Sequence, residues 1–229
     1  MNRDMFIDQY VSSLATATPP ARFRNPYQQP TAAHNLRVFL GTRDPTIPTI
    51  LLVGEAPGYR GAALSGVPLS SLAILTEAWN DPWSAFGPGA GYRAPKVVPY
   101  SREATATIVW SCLSTLLRSH PLPLTWNAVP FHPVGGSPNS NAPLAHADVP
   151  LGREWLERLI DLFPKTIPVA VGNRACDALR SLSVGHYVVR HPARGGKSDF
   201  SEGIRDLMAR RAAPGEPDTP MCTRCQPPP

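Results

Sequence analysis

The 229-residue sequence predicts an α/β fold, a three-layer α/β/α sandwich with a central four-stranded parallel sheet. Short apolar runs alternate four times with stretches of helical period, the pattern of parallel strands joined by helices. The runs are continuously apolar, as expected of strands buried on both faces. Hydrophobic residues make up 42% of the chain, which is enough for one substantial core. We therefore expect one domain over residues 1–212 and a disordered, Pro-rich tail over 213–229.

Each element is predicted from its hydrophobic period and from the Gly or Pro residues that end it. Helices are expected where apolar residues recur every three or four positions: 5–17, 32–43 (ending near Gly41), 71–79, 103–119, 152–163, 173–182 and 199–211. Strands are expected at the short apolar runs: 49–53, 123–131 (broken by Pro130), 167–172 and 186–193, the last running into a loop. The remaining segments are expected to be loops, notably the basic stretch 21–30, the long loop 54–70, the Gly- and Pro-rich stretch 80–101 and the segment 132–150.

The charge and hydropathy of the chain bear on two questions: whether it binds a polyanion and whether it contains a membrane segment. The formal net charge is +5, and arginine supplies nearly all of the positive charge. Arginine favours bidentate phosphate contacts, so a polyanionic partner fits, although a compositional bias toward Ala, Pro and Arg fits equally well. The chain has no run of about 18 apolar residues and no signal-peptide pattern. We expect a cytoplasmic monomer without a membrane segment.

The four cysteines predict no metal site. Cys112 and Cys176 lie among apolar residues at helical spacing, as small core residues do. Cys222 and Cys225 form a C-x-x-C pair, but a structural metal site usually needs four ligands. The surrounding tail is polar and Pro-rich, so we expect neither a metal nor a cofactor there.

The chemistry is expected in the loops that follow the strands, because ligands of such sheets bind beyond the carboxyl ends of the strands. Four loops occupy these positions: GEAPG at 54–58, NAVPFHP at 127–133, GNRA at 172–175 and RHPARGGK at 190–197.

Three polar residues in these loops are candidate site residues. Glu55 leaves a buried strand in a glycine turn, where its carboxylate can orient water or stabilise positive charge; a plain capped turn is the alternative. The amide of Asn127 either reads a pyrimidine edge or holds the loop that follows. His191 can donate a hydrogen bond to an oxyanion, although an ordinary loop histidine has the same pattern.

The loops GEAPG, WNAVPFHP and HPARGG resemble the motifs of the uracil-DNA glycosylase superfamily, in the same order and each after a strand. The resemblance runs from about Thr49 to Arg211, and VGEAPGYRG is similar to the bacterial branch whose first motif reads GEAPG. It implies an α/β/α fold and a DNA partner. In this superfamily a nucleotide is flipped into a pocket and its glycosidic bond is hydrolysed.

The resemblance also implies roles for single residues. Glu55 would position water or stabilise the oxocarbenium-like sugar, and His191 would stabilise negative charge on the leaving base. Asn127 would hydrogen-bond the flipped pyrimidine, helped by the main-chain amides of Glu55 and Ala56.

The basic loop after His191 is the expected contact with DNA. Arg190, Arg194 and Lys197 lie in or beside it, among small residues that suit a close approach to phosphates. A solvated turn would have the same composition. By the resemblance, this loop would enter the groove and fill the gap left by the flipped base.

The sequence departs from the superfamily around the base. Gly54 and Gly58 let the base approach the backbone, but the best-known branch has a bulky aromatic at the position of Gly58 to block the methyl of thymine. That branch also has an Asp at the position of Ala56. Relatives that also have Gly at the position of Gly58, the fifth residue of the first motif, place a Glu at the position of Gly61. Many relatives have a Phe at the position of Leu69 that stacks on the base.

These departures lead to the hypothesis that the pocket is open beside the 5-position of the base. A 5-substituted pyrimidine, such as a modified cytosine of phage DNA, would use that space, and the protein would then serve defence. In the alternative, Tyr59, Arg60 or a flap around Trp83 and Phe86 fills the space, and the substrate is uracil.

Other classes remain as alternatives. The iron–sulfur cluster of some GEAPG relatives is not expected, because no cysteine precedes Gly54. A non-catalytic DNA-base binder on the same fold would not need Glu55. A nucleotide-binding α/β protein would need a phosphate-binding glycine motif, and neither G-x-G-x-x-G nor a P-loop follows a strand.

Overall fold

The computed structural model describes residues 3–137 and 139–212, with side chains as far as residue 210. Its strands are β1 (Phe23–Arg24), β2 (Thr49–Gly54), β3 (Leu124–Asn127), β4 (His132–Pro133), β5 (Thr166–Val171) and β6 (Tyr187–Val189). Its helices are α1 (Arg3–Thr16), α2 (Pro30–Gly41), α3 (Ala62–Ser65), α4 (Leu72–Thr76), α5 (Ala104–Leu116), α6 (Arg153–Leu162), α7 (Asn173–Ser181) and α8 (Lys197–Ala212).

The central sheet is parallel and has the strand order β3-β2-β5-β6. β2 lies in its interior, with Leu52 opposite Thr125 of β3 and Val169 of β5. The residues from Ile50 to Gly54 are buried, which explains why none of them is polar. The predicted α/β/α sandwich around a four-stranded parallel sheet is confirmed.

Aromatic side chains join the helices to the sheet. Trp126 of β3 lies 5.7 Å from Tyr10 of α1, measured between ring centroids. The Tyr10 hydroxyl donates a hydrogen bond of 2.8 Å to the carbonyl of Trp155 in α6. In α5, the Trp110 indole donates a hydrogen bond of 3.1 Å to the carbonyl of Leu69. These contacts fix the layers and position the segment that carries Leu69.

Two predicted loops contain short ordered elements instead. In the basic segment 21–30, β1 pairs antiparallel with β4, and Asn25 caps a 3-10 helix over Pro26–Gln28. The segment 132–150 contains β4 and a 3-10 helix over His146–Gly152. The strands β1 and β4 were not predicted, because two-residue strands form only through partners that are distant in sequence.

Several predicted boundaries differ from the observed ones. The strand expected over 123–131, with a break at Pro130, already ends at Asn127; Pro130 has no N–H for a ladder. The long loop 54–70 contains the single turn of α3. The last helix begins at Lys197 rather than at 199, so Lys197 belongs to α8 and not to the preceding loop.

The cysteine prediction is confirmed in part. Cys112 and Cys176 are both buried. Cys222, Cys225 and the predicted tail 213–229 lie outside the described residues. Within the described part of the chain, every helix is too short or too polar to cross a bilayer.

Candidate active site

The loops after β2 and β3 are joined through their main chains. Ala128 N–H donates a hydrogen bond of 2.7 Å to the carbonyl of Gly54, and Val129 N–H donates one of 3.0 Å to the carbonyl of Glu55. His132 Nδ1 lies 2.8 Å from the carbonyl of Pro57. The first motif is therefore held rigidly against the segment that follows β3.

Glu55 and His191 meet at Gly172, the residue that joins β5 to α7. A methyl group built on Gly172 would lie 3.2 Å from Glu55 Oε1 and 3.4 Å from His191 Cβ. Gly172 also has φ +89° and ψ 177°, a conformation that is essentially restricted to glycine. The backbone thus requires glycine here, and a methyl group would also crowd both side chains; the N-terminal end of α7 lies beside the carboxylate.

His191 is poised as a neutral hydrogen-bond donor. Its Nδ1 accepts a hydrogen bond of 3.1 Å from Ala193 N–H, so its proton lies on Nε2. Burial lowers the pKa of His191 below its ordinary value of 6.5, against the opposing effect of the Glu55 and Glu103 carboxylates. A neutral imidazole with a fixed Nε2–H suits an oxyanion that develops nearby.

Asn127 lies beside Gly54 and Leu69 at the end of β3. It is 1% exposed, and its Nδ2 has no hydrogen-bond partner among the described residues. A methyl group built on Gly54 would lie 3.0 Å from Asn127 Oδ1 and 2.7 Å from Leu69 Cδ2. A buried amide donor without a partner costs about 1–3 kcal/mol, and a hydrogen bond to a ligand at Nδ2 would remove that cost.

Leu69 has a left-handed backbone, with φ +53°. Such a conformation is uncommon outside glycine and costs about 1–3 kcal/mol. The Trp110 indole holds the Leu69 carbonyl, and the Leu69 side chain lies over Gly54. The structure therefore brings Leu69 to the first motif, as the sequence predicted, and adds a strain that the sequence did not reveal.

The flap predicted as an alternative occupant of the pocket packs against Trp110, whose indole holds the Leu69 carbonyl. Phe86 is buried 4.7 Å from the ring of Trp110, and Trp83 borders a cavity of about 400 Å³ at the amino ends of the strands. Tyr59 and Arg60 group with Tyr100 at the surface: the two tyrosine rings are 5.7 Å apart, and the Arg60 guanidinium lies 4.4 Å from the ring of Tyr100.

Two side chains that the sequence did not indicate approach the motif glycines. Asn141 atoms lie within 4 Å of the position of a Cβ on Gly58. Glu103, the residue before α5, lies 3.4 Å through its Cγ from the position of a Cβ on Gly61. Their proximity arises from long-range packing, so no local sequence signal was available for either.

The three predicted DNA contacts have different environments. Arg194 is exposed at φ +54° and forms no ion pair with the described residues. Lys197 is exposed at the start of α8. Arg190 pairs with Asp199 at 3.2 Å and lies against Gly196, so it braces the base of the loop.

Metal-binding side chains do not gather in the described ranges. Among residues 3–137 and 139–210, no three His, Cys, Asp or Glu side chains come close enough to hold a metal ion. Ala56 is half-buried beside Glu55 and brings no second acid to the first motif.

Comparisons with known proteins support the fold. No family model matches the chain, and no curated protein matches its sequence. Among solved structures, SMUG2 of Pedobacter heparinus matches with a TM-score of 0.60 and 13% sequence identity, over 90% of this chain and 97% of that one. SMUG2 is a member of the uracil-DNA glycosylase superfamily. At this identity the likeness establishes a shared fold, and the chain has the α/β/α architecture of that neighbour.

Proposed function

We propose that the protein is a DNA glycosylase that flips out a pyrimidine nucleotide and hydrolyses its N-glycosidic bond, leaving an abasic site. One observation carries the proposal: Glu55 and His191 converge on Gly172, while the amide of Asn127, without a partner among the described residues, also lies at the carboxyl end of the sheet. A carboxylate, a neutral imidazole donor and an amide are the groups that this hydrolysis needs. The fold shared with SMUG2 supports it.

In the proposed reaction, the bond between the sugar C1′ and the base nitrogen breaks, and its electron pair goes to the base. His191 Nε2–H donates a hydrogen bond to the base O2, where negative charge develops. The Glu55 carboxylate stabilises the cationic sugar and takes a proton from the attacking water, whose oxygen forms the new bond to C1′. The base leaves after taking up a proton, and C1′ carries a hydroxyl.

Recognition of the base falls to the other side of the site. Asn127 Nδ2 donates to an acceptor on the Watson–Crick edge of the flipped base, which satisfies the amide that has no partner among the described residues. Leu69, held over Gly54, packs on the face of the base. The exposed Arg194 and Lys197 contact DNA phosphates.

The proposed substrate is uracil or a pyrimidine with a substituent at its 5-position. Gly58 contributes no side chain that would exclude such a substituent, and the rings of Trp83 and Phe86 are packed against Trp110. Modified cytosines of phage DNA belong to this class. Activity on them would make the protein a defence enzyme, and activity on uracil alone would make it a repair enzyme.

The test is to incubate the protein with oligonucleotides that contain uracil or a 5-substituted pyrimidine, and to score abasic sites by alkaline cleavage. We expect Glu55→Gln to lower the rate about a hundredfold or more. Glu157→Gln, the same change at an exposed position of α6, is the matched control and should leave the rate unchanged. Tight DNA binding without any abasic site would favour a non-catalytic base-binding protein and refute the enzyme.

A further inference from the structure

The segment that follows β4 returns to the first motif and presents Asn141 to it. Val134 pairs with Asn141 in an isolated antiparallel bridge, and Ala142 N–H donates a hydrogen bond of 3.0 Å to the carbonyl of Pro133. Asn141 Oδ1 in turn accepts a hydrogen bond of 2.9 Å from Tyr59 N–H. Asn141 is therefore held in place by the backbone on both sides, although its side chain is exposed.

The hydrogen bond from Tyr59 N–H determines which way the amide of Asn141 points. Only the amide oxygen can accept from a backbone N–H, so Nδ2 is the group left to donate. Nδ2 lies 3.7 Å from the position of a Cβ on Gly58, closer than Oδ1 at 4.0 Å. Among the described residues Nδ2 has no acceptor, so a hydrogen-bond donor lies within van der Waals distance of where a side chain on Gly58 would begin.

The order of the strands puts this donor and His191 on opposite sides of the proposed site, which favours a position near carbon 5 of the base. If His191 binds O2, as in the proposed function on which this step rests, the ring atom opposite is carbon 5. His191 follows β6 at one edge of the sheet, whereas Asn141 belongs to the segment after β3 at the other edge. Asn127, which reads the atoms between O2 and carbon 5, also belongs to β3.

The neighbouring carboxylate does not compete for this role. Glu103 packs against Gly61, but its two oxygens accept hydrogen bonds of 2.9 Å and 2.6 Å from Thr105 N–H and Ala106 N–H. It is engaged as the cap of α5. The amide of Asn141 is then the polar group available beside Gly58.

We propose that Asn141 determines specificity at the pyrimidine 5-position by donating a hydrogen bond from Nδ2 to an acceptor on the 5-substituent. A formyl group or a hydroxymethyl oxygen accepts such a bond, whether or not the hydroxymethyl oxygen carries a further group. A 5-methyl group offers no acceptor, so the site discriminates between substituents of similar size.

The test compares Asn141→Asp with the wild-type protein on three bases: unsubstituted, 5-methyl and 5-formyl, on the pyrimidine ring that the protein excises. Aspartate keeps the acceptor for Tyr59 N–H and removes the donor. We expect the ratio of kcat/KM for the 5-formyl base to that for the unsubstituted base to fall about tenfold. Comparing ratios between proteins cancels the intrinsic reactivity of each base.

Two further variants keep the result interpretable. Asn139→Asp adds the same charge to an exposed neighbour and should leave the ratio unchanged. Asn141→Ala removes the donor without adding charge and should lower the ratio as Asn141→Asp does. An unchanged ratio in both Asn141 variants, with excision intact, would overturn this role but leave the glycosylase in place. Absence of excision by the wild-type protein would overturn both.

Discussion

The most informative perturbation is Asn127→Ala, compared with Asn35→Ala. Both asparagines are buried, with exposed fractions of 1% and 0%. Asn35 is fully used inside the protein: its Nδ2 donates to the carbonyls of Ser65 and Arg93 at 2.9 Å and 2.8 Å, and its Oδ1 accepts from Arg93 N–H at 2.7 Å. Asn127 Nδ2 has no partner among the described residues.

The structure gives a clear difference in the expected free energy of unfolding. Three hydrogen bonds at about 1 kcal/mol each predict that Asn35→Ala costs about 3 kcal/mol. Asn127→Ala loses no hydrogen bond at Nδ2 and removes a buried donor whose unmet desolvation costs about 1–3 kcal/mol, which offsets the loss of packing. We therefore expect Asn127→Ala to lie within about 1 kcal/mol of wild type.

Urea denaturation of the three proteins measures this difference, and excision assays on the same samples measure function. Asn127→Ala should lower kcat/KM at least about a hundredfold, because a site that is built to hydrogen-bond its substrate loses much of its transition-state stabilisation when that bond is removed. If Asn127→Ala destabilises the protein as much as Asn35→Ala does, Asn127 is a structural amide and its proposed role in reading the base is refuted.

Three further predictions follow from the site. Gly172→Ala should destabilise the protein by about 1–3 kcal/mol through its backbone conformation and should lower excision up to about a hundredfold, because its methyl group would displace Glu55 and His191. Gly89 has a similar positive φ but no neighbouring atoms within 4 Å of an added methyl group, so Gly89→Ala is the matched control. It should lower the free energy of unfolding and leave the excision rate per folded molecule unchanged. The lowered pKa of His191 predicts an NMR titration midpoint below 6.5, so the neutral imidazole should still be the dominant form at pH 6.5. Because the unfolded chain takes up this proton first, the contribution of His191 to stability should decline as the pH falls below about 6.5; a midpoint above 6.5 would contradict the burial argument. Arg194→Ala should weaken DNA binding and reduce the slope of log binding constant against log salt by about 0.9, the value for one phosphate contact; an unchanged slope would mean that Arg194 does not touch the phosphates.

Much of the fold followed from local patterns. The apolar run at 49–53 is part of β2 in the sheet interior, because a strand buried on both faces is apolar along its length. The helical period over 152–163 contains α6, because a helix buried on one side has apolar residues every three or four positions. The two-residue strands β1 and β4 left no such pattern. They exist because segments far apart in the chain pair with each other.

The candidate site was predictable where it lies at strand ends. Glu55, Asn127 and His191 were inferred because each lies at or near the end of a predicted strand, and parallel strands bring their carboxyl ends to the same side of the sheet. Gly172 lies in a predicted loop, yet its contact with both Glu55 and His191 was not inferred. The role of Lys197 as the first residue of α8 was also missed.

The sequence by itself determined which residues carry the candidate chemistry, because strand, loop and motif are local and ordered along the chain. The tertiary structure alone decided what surrounds them. Asn141 reaches Gly58, Glu103 reaches Gly61 and Leu69 lies strained over Gly54 through contacts between segments distant in sequence. Such contacts depend on how whole elements pack, and packing is a property of the folded chain rather than of any short stretch of it.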